Sequence, residues 1–274
     1  MTMEEVPLEE IARKVRLDVL SMIRAAGSGH PGGSFSAAEI MVQLYWAEMS
    51  IRPEEPDWDE RDRFILSKGH ACPALYSVLA RRGYFDPAEL VTLRKLGSRL
   101  QGHPNMHDLP GLDASTGSLG QGLALACGIA HGVRLDRLPC RIYCLLGDGE
   151  LQEGSIWESA MTASHYCLSH LTAIVDRNRV QLDGTVSGVM EIEPLVDKWL
   201  SFGWDVVVAE GHSFISLGKA FEHCRSTGFP SVVIANTVKG RGVSFMEGRC
   251  EWHGRCPDDL EYESAVEELE RGLS

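Results

Sequence analysis

The 274-residue sequence contains few aromatic residues and no long apolar run. Only 7% of its residues are aromatic, while 44% are hydrophobic and 24% are charged. These values are typical of a globular protein and exclude disordered, fibrous and disulfide-scaffold proteins. Because no run of about 18 apolar residues occurs, we expect no transmembrane helix. The first ten residues, MTMEEVPLEE, are acidic and lack the apolar centre of a secretory signal.

Basic residues are also scarce. The chain has 26 Lys and Arg residues against 39 Asp and Glu residues, a formal net charge of −13. Such a surface argues against a nucleic-acid partner, but a phosphate ligand held by a metal ion and backbone amides stays possible. The eight cysteines include no CxxC pair, so we predict free thiols and a cytoplasmic location.

Internal repeats and low-complexity linkers are absent from the sequence. We therefore predict a single domain over residues 1–274, although this length also allows two small domains. The polar segment Ile51–Asp62 is expected to be a surface loop. The acidic segment Asp258–Glu270 has helical spacing and predicts a peripheral, solvated helix at about 257–271.

Strands and helices alternate along the predicted fold. Short apolar runs predict buried strands at Arg63–Leu66, Arg141–Leu146, Leu171–Val175, Asp205–Ala209 and Ser231–Ala235. Helical spacing predicts helices at Ile11–Arg24, Ala37–Met49, Pro73–Arg82, Leu119–Val133, Ile156–Tyr166, Leu195–Phe202 and Phe214–Ser226. This alternation is typical of an α/β fold with a mostly parallel sheet flanked by helices. Ligands of such sheets bind beyond the carboxyl ends of the strands.

Polar residues follow two of the predicted strands. Gly147-Asp148-Gly149 comes directly after RIYCLL, and Asp176-Arg177-Asn178 comes directly after LTAIV. Carboxylate and amide oxygens suit Mg²⁺ or Ca²⁺. The glycines would let backbone N–H groups approach a diphosphate near a helix N-terminus. The alternative is a tight turn and an unrelated asparagine cap.

These segments resemble a known motif. GDGELQEG…DRNRVQLDG is similar to the thiamine diphosphate motif, with wording most like that of transketolases. Further similar segments occur in order: SGHPG at 28–32, LSKGHA at 66–71, GHP at 102–104, STGSLGQG at 115–122, TVKGRG at 237–242 and WHG at 252–254. The resemblance covers about residues 10–255 and implies the diphosphate-binding (PP) fold of that family.

The resemblance implies specific roles for individual residues. Asp148, Asn178 and the Val180 carbonyl would hold the metal, Mg²⁺ or Ca²⁺. The residues implied on the cofactor side are His70, Lys68, Gly117, Leu119, Gly147, Asp148, Gly149, Glu153, Asn178, Lys239 and His253. The histidines implied near the reacting carbon are His30, His103 and His253.

Within these sets, the resemblance distinguishes several positions. Gly117 and Leu119 would meet the aminopyrimidine through backbone groups. Glu153 would bond across a subunit interface towards a cofactor-activating glutamate. Other histidines match no motif and are expected to have no role in the site: His131, His165, His170, His212 and His223. The tryptophans expected in the core or at an interface are Trp157, Trp199 and Trp204.

The resemblance also indicates what a partner must supply. Complete transketolases are more than twice as long and add a pyrimidine-binding domain and a third α/β domain. The activating glutamate, the aromatic pyrimidine pocket and the sugar-phosphate arginines belong to those domains. The chain would be either one subunit of a split enzyme or a fragment of a longer one. Its initial methionine and short terminal helix favour the split enzyme, with a heterotetramer as the working form.

The leading functional prediction is transfer of a two-carbon ketol unit from a ketose or its phosphate to an aldose or its phosphate. One alternative is a deoxyxylulose-synthase-type enzyme or a subunit of a 2-oxoacid dehydrogenase. Another is a pathway-specific transketolase-like pair that acts on an unusual sugar or an acyl donor. A third is a cofactor-binding or regulatory protein without activity.

Overall fold

The protein is organised around a sheet of five parallel strands. The computed structural model describes residues 6–272, so residues 1–5 and 273–274 of the predicted 1–274 domain lie outside the described residues. In chain order the strands are β1 (Arg63–Leu66), β2 (Ile142–Gly147), β3 (Leu171–Arg177), β4 (Val180–Gln181), β5 (Gly184–Thr185), β6 (Asp205–Glu210) and β7 (Ser231–Asn236). The large sheet has the order β1-β2-β3-β7-β6, and β4 and β5 form a separate antiparallel pair. All five predicted strands and the α/β fold class are confirmed, but β6 is not the buried strand that was predicted. It lies at the edge of the sheet, so only Ala209 is buried and Val208 is exposed.

Ten α-helices are present among the described residues. They are α1 (Leu8–Ala26), α2 (Pro31–Ser36), α3 (Ala38–Gln43), α4 (Cys72–Arg82), α5 (Gly122–Leu135), α6 (Gly154–His165), α7 (Val186–Val189), α8 (Leu195–Ser201), α9 (Phe214–Ser226) and α10 (Asp259–Arg271). None of these described helices combines the length and apolar character that a membrane crossing requires. All eight cysteines lie within residues 6–272, and each is unpaired there.

Hydrophobic layers cover both faces of the sheet. In β2, Tyr143 and Leu145 join a cluster with side chains of α1, α3, α4 and α9. Their neighbours Cys144 and Leu146 join a second cluster, with side chains of α5, α6 and α8. Successive side chains of a strand point to opposite faces, so burial on both faces requires the continuous apolar runs seen in the sequence.

Local signals explain several helix ends. Helix α1 ends where Gly27 takes a φ of 67°, a left-handed conformation that glycine adopts without strain. Helix α10 begins with a capping box in which Asp258 and Glu261 each accept a 2.9 Å hydrogen bond from the other's backbone N–H. The N-terminal boundary of α10 can therefore be read from the residues themselves.

Three predicted helices needed correction. The predicted Ala37–Met49 helix ends as an α-helix at Gln43 and continues as a wider π-type turn over Leu44–Glu48. That turn keeps both Leu44 and Tyr45 buried, a change that 3.6-residue periodicity does not predict. The predicted Leu119–Val133 helix begins only at Gly122.

The late start of α5 has a physical reason, and so does the third correction, which concerns the burial of α10. Gly120 takes a φ of 85°, so residues 119–120 cannot continue the helix of α5. Helix α10 is not solvated on all sides, because Ala265 and Leu269 are buried in the core cluster that includes α1. The two helices are also joined by an Arg24–Asp259 ion pair.

Strand order brings distant polar segments to one edge of the sheet. Gly147 is paired with Asp176 across β2 and β3, and Arg177 is paired with Asn236 across β3 and β7. The segments that follow β1, β2, β3 and β7 are therefore neighbours at the carboxyl edge. Ligand sites of parallel α/β sheets form at this edge.

Candidate active site

Asp176 is the polar centre of the carboxyl edge. It is fully buried at the end of β3, and its carboxylate accepts hydrogen bonds from Lys68, Ser36 and Thr237. Asn178 Nδ2 approaches the same carboxylate at 3.3 Å. Burial alone would raise the pKa of Asp176, but the ammonium of Lys68 and these donors lower it. The carboxylate thus connects the segments after β1, β3 and β7.

Lys68, predicted on the cofactor side, is a buried lysine of the cavity wall. Its Nζ forms a buried ion pair with Asp176 and donates to the Gly33 carbonyl oxygen at 2.9 Å. The side chain lines the cavity, but its charge is already compensated. The motif SKGH gave no sign of this pairing because Asp176 lies 108 positions away in sequence.

Three oxygen donors lie after β2 and β3: the Asp148 carboxylate, the Asn178 side-chain amide and the Val180 carbonyl. Asp148 is buried, and its carboxylate accepts from the backbone N–H groups of Gly149 and Arg179. Asn178 Oδ1 accepts from the Val180 N–H at 3.1 Å. Burial, and then the nearby Asp176, raise the pKa of Asp148 to about 6. The Gly149 N–H, expected to meet a diphosphate, is engaged by Asp148 Oδ1 at 2.8 Å.

Lys239 places a positive charge in the cavity beside the Val180 carbonyl. Its Nζ lies 2.9 Å from the Val180 carbonyl oxygen and 3.0 Å from His253 Nδ1. Burial, and then the charge of Lys68, lower the pKa of Lys239 to about 8. An ammonium group can only donate, so His253 Nδ1 accepts and its proton resides on Nε2.

Three histidines pack together beside Lys239. The ring centroids of His30, His70 and His253 are 5.0–5.4 Å apart in pairs. Burial is the main cause that lowers the pKa of His30 to about 4, that of His253 to about 3, and that of His70 well below its usual range. These imidazoles are therefore neutral at pH 7, as expected for polar recognition of a substrate.

His103 lies beside the loop that contains Gly117. A Cβ atom at Gly117 would lie 3.1 Å from the His103 ring. Arg94, which the sequence analysis missed, contacts His30 Nδ1 through Nη2 at 3.3 Å. Burial, and then the charge of Arg94, lower the pKa of His103. Arg94 thus contacts His30 directly and acts on His103 through its charge.

Glu150 is a second residue that the sequence analysis missed. Its buried carboxylate accepts from Ser67 Oγ, from Gly120 N at 2.8 Å and from Gly147 N at 3.0 Å. One side chain therefore holds the segments after β1 and β2 against the loop before α5. Glu150 itself was visible as the last residue of the GDGE segment. Its partners were not, because Gly120 lies 30 residues away and Ser67 lies 83 residues away.

A cavity of about 270 Å³ opens between these segments. The predicted site residues that line it are Lys68, His70, Leu119, Gly147, Asp148, Gly149, Glu153, Asn178, Val180, Lys239 and His253. His30, His103 and Gly117 do not line the cavity; His30 packs on His70 and His253, and His103 lies beside Gly117. The structure thus brings most of the predicted set together.

An exposed apolar surface adjoins the cavity. We call it the α5/α6 surface: it consists of the exposed side chains Leu119, Leu125, Leu135, Met161 and Tyr166. Leu119 and Glu153 belong to the cavity wall, and Glu153 is itself exposed at the start of α6. Exposed apolar side chains on two helices that contact each other indicate a candidate interaction site.

The fold and the site define a class of protein. It is a parallel α/β protein whose cavity, at the carboxyl edge of the sheet, combines oxygen donors, a lysine and neutral histidines. A family model described as "Transketolase, thiamine diphosphate binding domain" matches residues 8–269. The chain belongs to this transketolase family.

Three relatives have nearly the same length as this chain, among them the following two. The 6-deoxy-6-sulfo-D-fructose transketolase subunit SqwG of Clostridium sp. (strain MSTE9) is 43% identical over 99% of both chains. One subunit of the apulose-4-phosphate transketolase of Phocaeicola vulgatus is 40% identical over 96% of this chain and 93% of that protein. Both relatives are named as subunits of a transketolase.

Other relatives are longer. Human transketolase is 43% identical over 90% of this chain, and the match covers 40% of that protein. The crystal structure of Campylobacter jejuni transketolase superposes with a TM-score of 0.91 and 32% identity, over 96% of this chain and 42% of that one. The chain thus spans about two fifths of these transketolases.

Proposed function

We propose that this chain is the thiamine diphosphate-binding subunit of a two-chain transketolase. The complex transfers a two-carbon ketol unit from a ketose or ketose phosphate to an aldose or aldose phosphate. The observation that carries this proposal is the cavity at the carboxyl edge, where Asp148, Asn178 and Lys239 lie beside neutral His70 and His253. Two relatives of similar length that are named as transketolase subunits support it.

The residues present fit a divalent metal and a diphosphate. Asp148, Asn178 and the Val180 carbonyl supply hard oxygen donors of the kind that Mg²⁺ and Ca²⁺ accept. A cation there would compensate the buried Asp148 carboxylate, whose raised pKa reflects the cost of its charge. Among residues 6–272 no three His, Cys, Asp or Glu side chains converge as a metal site. A mixed set of one carboxylate, one amide and one backbone carbonyl is consistent with that finding.

Different residues of the proposed site bind different parts of the cofactor. Lys239, with His70, would face the negative diphosphate, and Gly117 and Leu119 would meet the aminopyrimidine. Bound thiamine diphosphate supplies a nucleophilic thiazolium carbon, the chemistry that cleaves and forms carbon–carbon bonds beside a carbonyl. The protein contributes by binding and orienting the cofactor and the sugar.

His30, His103 and His253 are proposed to hold the sugar. His253 accepts from Lys239 at Nδ1, and His30 accepts from Arg94 at Nδ1, so each ring carries its proton on Nε2. Each Nε2–H can donate to a substrate oxygen while the ring stays neutral. His103, held near Gly117 on the same side, would bind a hydroxyl group of the sugar.

A partner subunit completes the proposed active site. The α5/α6 surface is apolar and reaches the cavity at Leu119, which suits a large obligate interface. We propose that the partner carries the pyrimidine-binding and C-terminal domains, that its activating glutamate meets Glu153, and that two copies of each chain form a heterotetramer. The cytoplasmic location stays a prediction, based on eight unpaired cysteines.

The sugar substrates belong to a narrower proposal. The relatives of similar length are named for 6-deoxy-6-sulfo-D-fructose and apulose 4-phosphate, which favours a specialised sugar over a general pentose pathway. The histidine set favours a sugar over a 2-oxoacid. The test uses the chain co-purified with its partner, thiamine diphosphate and Mg²⁺. Ketol transfer by the assembled complex that requires both thiamine diphosphate and Mg²⁺ supports the proposal. Oxidation of a 2-oxoacid without ketol transfer contradicts it.

Replacing His103 with alanine should lower turnover while cofactor binding survives. The ring lies outside the cavity wall formed by Asp148 and Lys239, so the diphosphate contacts stay intact. We expect kcat to fall by about 10²-fold, the usual contribution of one positioned imidazole. Steady-state kinetics and a cofactor titration of the same complex give the two readouts.

The matched control is His107→Ala, because His107 is an exposed histidine in the same loop. It should leave kcat unchanged. A His103→Ala complex with weakened cofactor binding and normal turnover at saturating cofactor would contradict the substrate-side role.

A further inference from the structure

A buried series of polar contacts leads from α1 to the loop after β7. Arg16 holds Glu39 with two hydrogen bonds, Nη1 to Oε1 at 2.7 Å and Nη2 to Oε2 at 2.6 Å. Glu39 Oε2 lies 2.9 Å from His212 Nδ1, and the Val238 N–H donates to His212 Nε2 at 2.8 Å. Arg16 and Glu39 are 6% and 8% exposed, so water screens this series little.

The contacts select one tautomer of His212. A backbone N–H can only donate, so Nε2 must accept from Val238. The ring proton is then on Nδ1, where it faces the carboxylate of Glu39. Burial would raise the pKa of Glu39, but Arg16 and His212 outweigh it and lower the pKa to about 2. Glu39 is therefore an anion that accepts the Nδ1 proton.

The amide that His212 engages directly precedes Lys239. On the other side of Lys239, the Gly240 N–H donates to the Gly32 carbonyl oxygen at 3.0 Å. Lys239 thus lies between two anchored amides, and its Nζ reaches the Val180 carbonyl and His253 in the cavity. A shift of the backbone at Val238 would move the Lys239 ammonium group away from both the Val180 carbonyl and His253.

We propose that His212 is a positioning residue that Glu39 holds in one tautomer, so that its Nε2 fixes the Val238 amide and aims Lys239 into the cofactor cavity. The proposal rests on the proposed function, because Lys239 is taken to face the cofactor diphosphate. It gives a role to a histidine that matches no sequence motif. It also explains why a buried arginine and glutamate lie behind the site rather than in it.

Two substitutions separate the two hydrogen bonds of His212. In His212→Gln the longer side chain places an amide oxygen near the former Nε2, so the Val238 bond can re-form. In His212→Asn the shorter amide can still donate to Glu39 but cannot reach Val238. We expect His212→Asn to weaken thiamine diphosphate binding about tenfold, the usual cost of losing a residue that orients a ligand-binding group. His212→Gln should stay close to the unsubstituted chain.

The measurement is a titration of thiamine diphosphate, at saturating Mg²⁺, into the complex of this chain with its partner. The matched control is His223→Asn, which removes a histidine–carboxylate contact with Asp205 on the surface. It should not alter the affinity.

A double-substitution cycle tests whether His212 acts through Lys239. If it does, His212→Asn should have little further effect on cofactor affinity when Lys239→Ala is already present. Equal losses in His212→Asn and His212→Gln, or additive effects with Lys239→Ala, would overturn the proposal. So would a lower melting temperature in the absence of cofactor with an unchanged affinity, the result expected for a purely structural residue.

Failure of the proposed function gives a different result. In that case the unsubstituted complex would not bind thiamine diphosphate at all. The ring of His212 can also be observed without any cofactor, because ¹⁵N chemical shifts distinguish the two neutral tautomers. A proton on Nδ1 is expected, and a proton on Nε2 would overturn the positioning proposal independently of cofactor binding.

Discussion

Purified without a partner, the chain should show no ketol transfer above background, even with saturating thiamine diphosphate and Mg²⁺. The cavity wall at Leu119 and Glu153 adjoins the exposed α5/α6 surface, where we propose that a partner completes the site. In our proposal, the cofactor-activating glutamate belongs to that partner. Turnover should appear when the co-expressed partner is present.

Assembly should also stabilise the chain. A partner that binds only the folded chain adds about 2.7 kcal/mol when it is present at 100 times its dissociation constant. Calorimetric melting of the chain alone and of the complex measures this gain. Full activity of the isolated chain would overturn the two-chain proposal, because the activating glutamate would then lie within these 274 residues.

A charge placed on the α5/α6 surface tests the location of the interface. Met161 is an exposed apolar side chain of α6, and Met161→Glu should prevent assembly and abolish turnover. Leu260→Glu is the matched control, because Leu260 is exposed on α10 and lies outside this surface. Sedimentation of the mixed subunits reports the assembly. If Met161→Glu assembles normally, the partner binds elsewhere.

Asp148→Ala should reduce the affinity for thiamine diphosphate at least tenfold in the presence of Mg²⁺, a loss of about 1.4 kcal/mol. The substitution removes the one carboxylate among the three proposed metal donors and leaves the diphosphate charge poorly compensated. Titration calorimetry of the assembled complex over a range of Mg²⁺ concentrations measures the effect. The loss should be smallest at high Mg²⁺, where mass action favours the weakened site.

The control for this substitution is Asp57→Ala, an exposed aspartate in the Ile51–Asp62 loop. Asp148 also accepts two backbone hydrogen bonds, so the melting temperature of each variant is measured without cofactor. An Asp148→Ala complex that melts normally and keeps its Mg²⁺-dependent affinity would remove the metal assignment.

Several parts of the fold were predictable because their signals are local. Strands buried on both faces must be continuously apolar, so β2, β3 and β7 are visible as runs of apolar residues. The edge strand β6 is visible for its Val residues, although it is mostly not buried. The start of α10 is visible because Asp258 and Glu261 cap each other within one turn. The wide turn at Leu44–Glu48 was missed because its cause is the packing of Leu44 and Tyr45 against other elements.

The site shows the same division between local and long-range signals. Asp148 and Asn178 were found because each directly follows a predicted strand within a recognisable motif. The contacts of Asp176, Glu150 and His212 were missed because their partners are far away in sequence. Asp176 meets Lys68 across 108 positions, and His212 meets Glu39 across 173 positions.

The sequence by itself determined the alternation of strands and helices, the family resemblance and the identity of most cavity residues. These properties depend on residue type and on spacings of a few positions. Only the tertiary structure decided that Lys68 is neutralised by Asp176, that Glu150 joins two loops, and that His212 reaches the amide beside Lys239. The reason is that these contacts join segments far apart in sequence, which only the strand order β1-β2-β3-β7-β6 and the packing of helices α1 and α3 bring together.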